Sequence, residues 1–202
     1  KKGIKKMIFD QNIGAYDKFA FCALVATENN GRDYMRPYLA ELAATICSED
    51  IELCAECVRM GNTFIEEPSN TIRNISKEKC RSNGEAYQFS KTDEEIRRLV
   101  WETQLKSVFP VIERFRGCFI KKYYDQIKKV LPISNSCGEN VTIPEDVEIG
   151  TLFYMVGCSA LSVSSLEYGE LERYKDARNK LAHLDILELE VVDSILKRDH
   201  LL

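Results

Sequence analysis

The chain has 202 residues, 45% hydrophobic and 30% charged, with 10 Gly, 5 Pro, 8 Cys and only 2 His. Such a composition excludes collagen-like, low-complexity and broadly disordered classes, and a chain of this length buries roughly 70% of the surface its unfolded form exposes. A net charge of −4 argues against a protein that coats nucleic acid by bulk positive charge, and leaves a local basic site possible.

The opening Lys1-Lys2-Gly3-Ile4-Lys5-Lys6 is basic, but Asp10 interrupts the apolar residues behind it before a secretory core forms. A cytoplasmic location is therefore expected. A start at Lys1 and not Met reads as a trimmed piece of a longer chain, with residues 1–15 as a tail from a preceding segment.

From Tyr16 to about Glu28, Phe19, Ala20, Ala23, Leu24 and Ala26 leave one helical face apolar. A longer helical stretch follows from Asp33 to Asn62, which Ser48-Glu-Asp50 can divide. Residues 66–90 hold Pro68, Gly84 and many polar side chains, and read as a long loop with at most one short helix. Thr92-Asp-Glu-Glu95 has the form of a capping box. Behind it, Ile96, Leu99, Val100, Thr103, Val108, Ile112, Phe115 and Phe119 recur at helical spacing toward Leu131, with a kink expected at Pro110.

A polar linker over 132–140 leads to Thr142-Ile-Pro144-Glu145, a helix-start signature. It is expected to open a buried helix across the uncharged stretch Ile149 to Leu166, which is too rich in Gly and Ser for a membrane span. Ser164-Ser-Leu-Glu167 repeats the capping box and opens the next helix. The chain breaks again near Asp185, and a last helix presents Leu189, Val192, Ile195 and Leu196. No alternating β-branched run and no repeat at solenoid spacing occurs. The expected fold is all-α, an up-and-down bundle with extra N-terminal helices, with 16–202 as one domain and a hairpin over 164–198.

Most cysteines fall inside helical patterns, where a reduced thiol behaves as a small hydrophobe. The tightest cluster, Cys54-Ala-Glu-Cys57 with Cys47 upstream, lacks a second Cys-x-x-Cys or a nearby His, so reduced packing is expected over a zinc or redox role. No metal or other cofactor is called for. The sequons at Asn74 and Asn140 are short enough to arise by chance. Lys121-Lys122 with Tyr123-Tyr124, and Lys128-Lys129, form either a basic, aromatic-edged RNA track or, as is usual for such runs, a solvated helix face. Arg97-Arg98, Arg114 and Arg116 read the same way. No phosphate-cradling glycine pattern is present.

Imidazole chemistry rests on His183, since His200 lies two residues from the end. On a wheel of about 100° per residue, Leu166, Leu171, Tyr174, Ala177, Leu181 and Ala182 share one arc with Arg178 inside it. Asn179 and His183 lie together just outside this stripe, flanked by Lys175 and Glu172. Arg173, Lys180 and Asp176 take the solvent side, and Lys175, Lys180 and Arg173 are candidate RNA contacts. A cation on an apolar stripe needs an anion or a solvated interface to receive it. Arg, Asn and His along one edge suit RNA cleavage without a metal. Imidazole moves protons near neutral pH, guanidinium holds phosphate and the charge of a pentacoordinate transition state, and the amide orients the ring or a ribose hydroxyl. An Arg pairing with a core carboxylate is the structural alternative.

Asp176-Ala-Arg-Asn-Lys-Leu-Ala-His183 resembles the signature of the HEPN superfamily, an Arg, a short spacer often opened by Asn, and a His. The Leu-Asp-Ile-Leu-Glu-Leu-Glu that follows, leading into a short apolar helix, also resembles these domains. The likeness is confined mainly to 164–196. It implies a helical bundle that dimerises so that two motifs form one metal-independent endoribonuclease site. The 2′-hydroxyl would attack the adjacent phosphate and leave a 2′,3′-cyclic phosphate. His183 would be the general acid or base, Arg178 the phosphate clamp and Asn179 the orienting group. The resemblance further implies a toxin–antitoxin or antiviral-defence setting beside a sensor domain or antitoxin. A non-catalytic helical interaction module is the alternative, and a bundle with a thiol or zinc role at Cys47, Cys54 and Cys57 a third.

Overall fold

A computed structural model describes residues 14–28, 32–47, 50–134, 138 and 140–200. It is all-α apart from one minimal β-hairpin among the described residues. The expected tail over 1–15 lies outside the described residues as far as residue 13, as do Ser48 and Glu49. Where the sequence reads one domain over 16–202, the contacts gather into two compact units: residues 1–107 with 188–202, and residues 108–187.

The first unit holds α1 (Ala15–Ala26), a 3₁₀ turn (Asp33–Met35), α2 (Arg36–Ile46), α3 (Ile51–Arg59), α4 (Asn62–Glu66), α5 (Pro68–Glu78) and α6 (Asp93–Ser107). It closes with α11 (Leu189–His200), which packs on the 3₁₀ turn. Helix α2 packs against α1, α3 and α6, and its small residues Ala40 and Ala43 are fully buried. Tyr38, also buried, accepts a hydrogen bond on its hydroxyl from Gln104 Nε2 at 3.3 Å, and burial pushes its pKa up to about 12. Asp193 of α11 accepts from Tyr34 Oη at 2.9 Å and pairs with Arg32.

Cys22, Cys47, Cys54 and Cys57 are all buried at the α1–α2–α3 junction. The Cys47 and Cys57 sulfurs lie 3.6 Å apart, and the Cys54 thiol donates to the Cys47 carbonyl at 3.2 Å. Hydrogen bonding with Cys54, and then burial, push the Cys22 thiol up. Among the described residues no group of three His, Cys, Asp or Glu is placed to hold a metal.

Two expectations need correction in this unit. Residues 66–90 do hold one helix in a stretch otherwise non-helical after Glu66, but at 11 residues α5 is longer than the short one expected. Pro68 sits in its first turn, where the missing amide costs nothing, and Thr71, Ile72 and Ile75 bury one face. The run from Thr92 to Leu131 is not one kinked helix. Its capping box forms as expected, Thr92 N–H donating to Glu95 Oε2 at 2.7 Å and Glu95 N–H to Thr92 Oγ1 at 3.3 Å. The helix then stops at Ser107, and Pro110 lies in the first turn of a new one.

The second unit contains α7 (Phe109–Lys122), α8 (Tyr124–Val130), strands β1 (Ile133–Ser134) and β2 (Asn140–Val141), a 3₁₀ turn (Pro144–Asp146), α9 (Ile149–Gly157) and α10 (Ser165–Ala182). The strands pair antiparallel, Ile133 opposite Val141, across the expected linker, of which residues 135–137 and 139 lie outside the described residues. Arg116 is a structural cation, not a track residue. Its Nη1 donates to the Glu145 and Val147 carbonyls at 2.8 and 3.1 Å and its Nε to Glu113 at 2.9 Å, so α7 holds the 3₁₀ turn.

The expected buried helix over 149–166 is cut short. Helix α9 ends at Gly157, and Ser159 turns left-handed at φ 62°. Ser159 N–H donates to the Val156 carbonyl and Ala160 N–H to the Met155 carbonyl, a Schellman motif that stops the helix without glycine. Tyr154 is exposed.

Ser164 caps α10 as expected, with Glu167 N–H donating to Ser164 Oγ at 3.3 Å and Ser164 N–H to Glu167 Oε2 at 3.2 Å. The Glu167 carboxylate also pairs with Lys122, at the last turn of α7. Hydrogen bonds from Lys122, Ser164 and Tyr123 pull its pKa from 4.5 down to about 2.

Two predictions follow from these anchors. Asp50 is buried and caps α3, accepting from the Glu52 and Leu53 amides at 3.1 Å and pairing with Arg81 at 3.0 Å. Asp50→Ala should lower the unfolding free energy by about 2 kcal/mol in urea denaturation, with Asp50→Asn, which keeps a capping oxygen, recovering part of it. Glu167 has a depressed folded-state pKa, so its contribution is complete above pH 4.5 and is lost as the pH falls toward 2. The stability difference between wild type and Glu167→Gln should therefore shrink across that window and stay constant above it.

Candidate functional site

Helix α10 carries every candidate site residue. It buries Leu171, Tyr174, Ala177 and Leu181, and Tyr174 stacks on Phe115 of α7 with ring centroids 3.9 Å apart. The stripe is narrower than the sequence pattern implies. Leu166 is 82% exposed and Ala182 is exposed, so neither belongs to it. Leu166 lies in the first turn and Ala182 closes the last turn.

Arg178 borders this stripe with its side chain 33% exposed, and Glu148 receives its charge. Nη2 of Arg178 stands 3.6 Å from Oε2 of Glu148, the residue preceding α9. The separation exceeds normal hydrogen-bond length, so the contact is Coulombic. Asn179 and His183 are both exposed; at about 100° per residue they lie roughly 100–140° round the helix from Arg178, so the three do not share the single edge expected from the sequence. The main chain links Asn179 and His183: His183 N–H donates to the Asn179 and Lys180 carbonyls, each at 3.1 Å.

His183 is the C-cap of α10. Leu184 follows in the left-handed region at φ 60°, its N–H donating to the Leu181 carbonyl at 3.3 Å, and Asp185 N–H donates to the Lys180 carbonyl at 3.0 Å. This second Schellman motif places a leucine, 68% exposed, at the position glycine normally takes. The imidazole is thus the first side chain past a closed helix end, and the chain break expected near Asp185 is this motif.

The three weaker candidates divide. Lys175 is half-buried, with Nζ 3.9 Å from the Phe153 ring centroid and 3.0 Å from Asp176 Oδ1. Phe153 in turn stacks on Tyr168 at 5.1 Å. Lys175 is therefore held in the α9–α10 packing and is not a freely presented RNA contact. Arg173 is exposed and Lys180 half-buried. The track at 121–129 keeps half of its aromatic edge, because Tyr123 is buried and Tyr124 exposed; Lys122 is paired with Glu167, and Lys121, Lys128 and Lys129 are exposed.

Helices α10 and α11, adjacent in sequence, belong to different units, so the second unit alone contains Arg178, Asn179 and His183. Sequence reasoning missed Glu148. Its signal is positional, a carboxylate before α9 that makes no capping hydrogen bond to its own helix. Among the described residues no helix is long and apolar enough to cross a membrane. No protein-family model matches the chain, and neither a curated protein nor a solved structure matches it.

The left-handed Leu184 yields a prediction. Leu184→Gly should be more stable than Leu184→Ala by about 1 kcal/mol in chemical denaturation, since both remove the side chain and only glycine relieves the backbone.

Proposed function

We propose that the chain is a metal-independent endoribonuclease of the HEPN type, acting as a homodimer in which Arg178, Asn179 and His183 of two copies form one site. The observation that carries the reading is the end of α10, where Asn179 and His183 face solvent and a half-buried Arg178 is countered by one loose ion pair. A structural Arg–carboxylate bridge favours close, bidentate contact; 3.6 Å to a largely exposed Glu148 leaves the guanidinium able to receive phosphate.

In this reaction one His183 takes the proton of a ribose 2′-hydroxyl as the 2′-oxygen bonds to the adjacent phosphorus. The bond from phosphorus to the 5′-oxygen breaks, and that oxygen receives a proton from the imidazolium of the other copy. The products are a 2′,3′-cyclic phosphate and a 5′-hydroxyl. Arg178 stabilises the charge of the pentacoordinate transition state, and Asn179 holds the ribose hydroxyl or the ring. The bundle would be HEPN-like, with additional N-terminal helices. The biological setting would be the cytoplasmic effector of a prokaryotic defence or toxin–antitoxin system, restrained by a sensor domain or antitoxin. The acidic net charge suits an enzyme that holds RNA at one small shared site.

One observation favours the rival, a non-catalytic interaction module. Leu166, Tyr154 and Leu184 of the second unit are 82%, 71% and 68% exposed, which fits a protein-binding surface as well as a dimer face.

The deciding assay incubates tRNA and single-stranded RNA with the protein in EDTA. Wild type should cut and leave cyclic phosphate ends. Arg178→Ala and His183→Ala should each lower the rate by about 100-fold or more, and Asn179→Ala by less. Cleavage that survives in both of the first two variants, or that requires a divalent ion, sinks the nuclease reading. No cleavage by a verified dimer favours the interaction module.

A further inference from the structure

We propose that Glu148 gates the Arg178 anion site: its carboxylate occupies the guanidinium until a phosphate group displaces it, so that any anion entering the site must compete with it. The proposal rests on the reading of Arg178 as a phosphate clamp and adds a residue the sequence motif does not contain.

Three features of the second unit carry it. Glu148 stands before α9 yet makes no capping hydrogen bond to that helix, and its side chain turns to Arg178 instead. The partners are unequal, Arg178 being 33% exposed beside the buried stripe and Glu148 70% exposed. The contact is therefore an anchored cation with a displaceable anion. At 3.6 Å, and largely in water, such a pair is weak and salt-sensitive.

A carboxylate in this position also lowers the local potential, which opposes every anion at the guanidinium. RNA presents several phosphates, and a phosphate offers two oxygens to the guanidinium fork.

The test uses inorganic phosphate as probe, titrated at constant ionic strength and followed by ³¹P line broadening. Wild type, Glu148→Gln, Glu148→Ala, Arg178→Ala and the double variant E148Q/R178A are compared. Glu148 is mostly exposed, so its variants should melt with wild type. Glu148→Gln and Glu148→Ala should each tighten phosphate about 1.5- to fivefold, the range that removing one weak opposing pair predicts, and E148Q/R178A should abolish the gain. With single-stranded RNA, Glu148→Gln should lower KM and leave kcat close to wild type.

Phosphate binding unchanged or weakened in either single variant would mean that Glu148 positions Arg178 and does not compete for it, overturning the proposal. A gain that survives in E148Q/R178A would overturn it as well, by showing a general field effect. The phosphate measurements decide the gate whatever the RNA assay gives. Absence of cleavage by wild type counts against the nuclease reading alone.

Discussion

The second unit depends on one carboxylate. Glu167 closes the N-terminus of α10 through the capping box with Ser164 and, with the same carboxylate, takes the Lys122 ammonium from the last turn of α7. A free helix start has amides without partners, and a free helix end has carbonyls without partners and a residual negative field. One side chain serves the first need directly, and brings a cation to the α7 terminus for the second. Once this point is fixed, the Tyr174–Phe115 stack sets the rotation of α10 about its own axis, and Leu171, Ala177 and Leu181 bury along the same line. Which face meets solvent follows from that rotation, and the solvent face carries Asn179 and His183.

Much of this was legible in the letters because it is local. Both capping boxes declare themselves by a hydroxyl three residues before a carboxylate, and the hydrogen bonds form as that spacing requires. The heptad-like recurrence of Leu171, Tyr174 and Leu181 marked the buried stripe. The all-α class needed only the absence of alternating β-branched runs.

The misreadings share a different cause. Pro68 and Pro110 were expected to break or bend helices, and each begins one, because a proline letter marks a first turn as readily as an interruption. The end of α9 was hard to place because Ser159 stands where glycine is the usual signal, whereas α10 closes near the expected Asp185 although Leu184 takes that position. Leu166 and Ala182 fit the apolar arc by angle, yet both are exposed, and angle alone carries no information on where a partner stops. Glu148 was invisible for the same reason: it lies thirty positions from Arg178, and no local pattern joins them.

The Schellman end of α10 bears on how the imidazole would move. His183 has its amide tied to two carbonyls of the preceding turn, while Leu184 and Asp185 close the next two links. Its backbone is therefore as fixed as the helix interior, and its freedom is confined to two side-chain torsions. Ordering such a group around a ligand costs about 0.5–1.5 kcal/mol, far less than ordering a loop of several residues. Catalysts built on mobile loops need closure before they work. A histidine mounted here would need only a rotamer choice, so whatever restrains it must come from the surface opposite, and not from the chain that carries it.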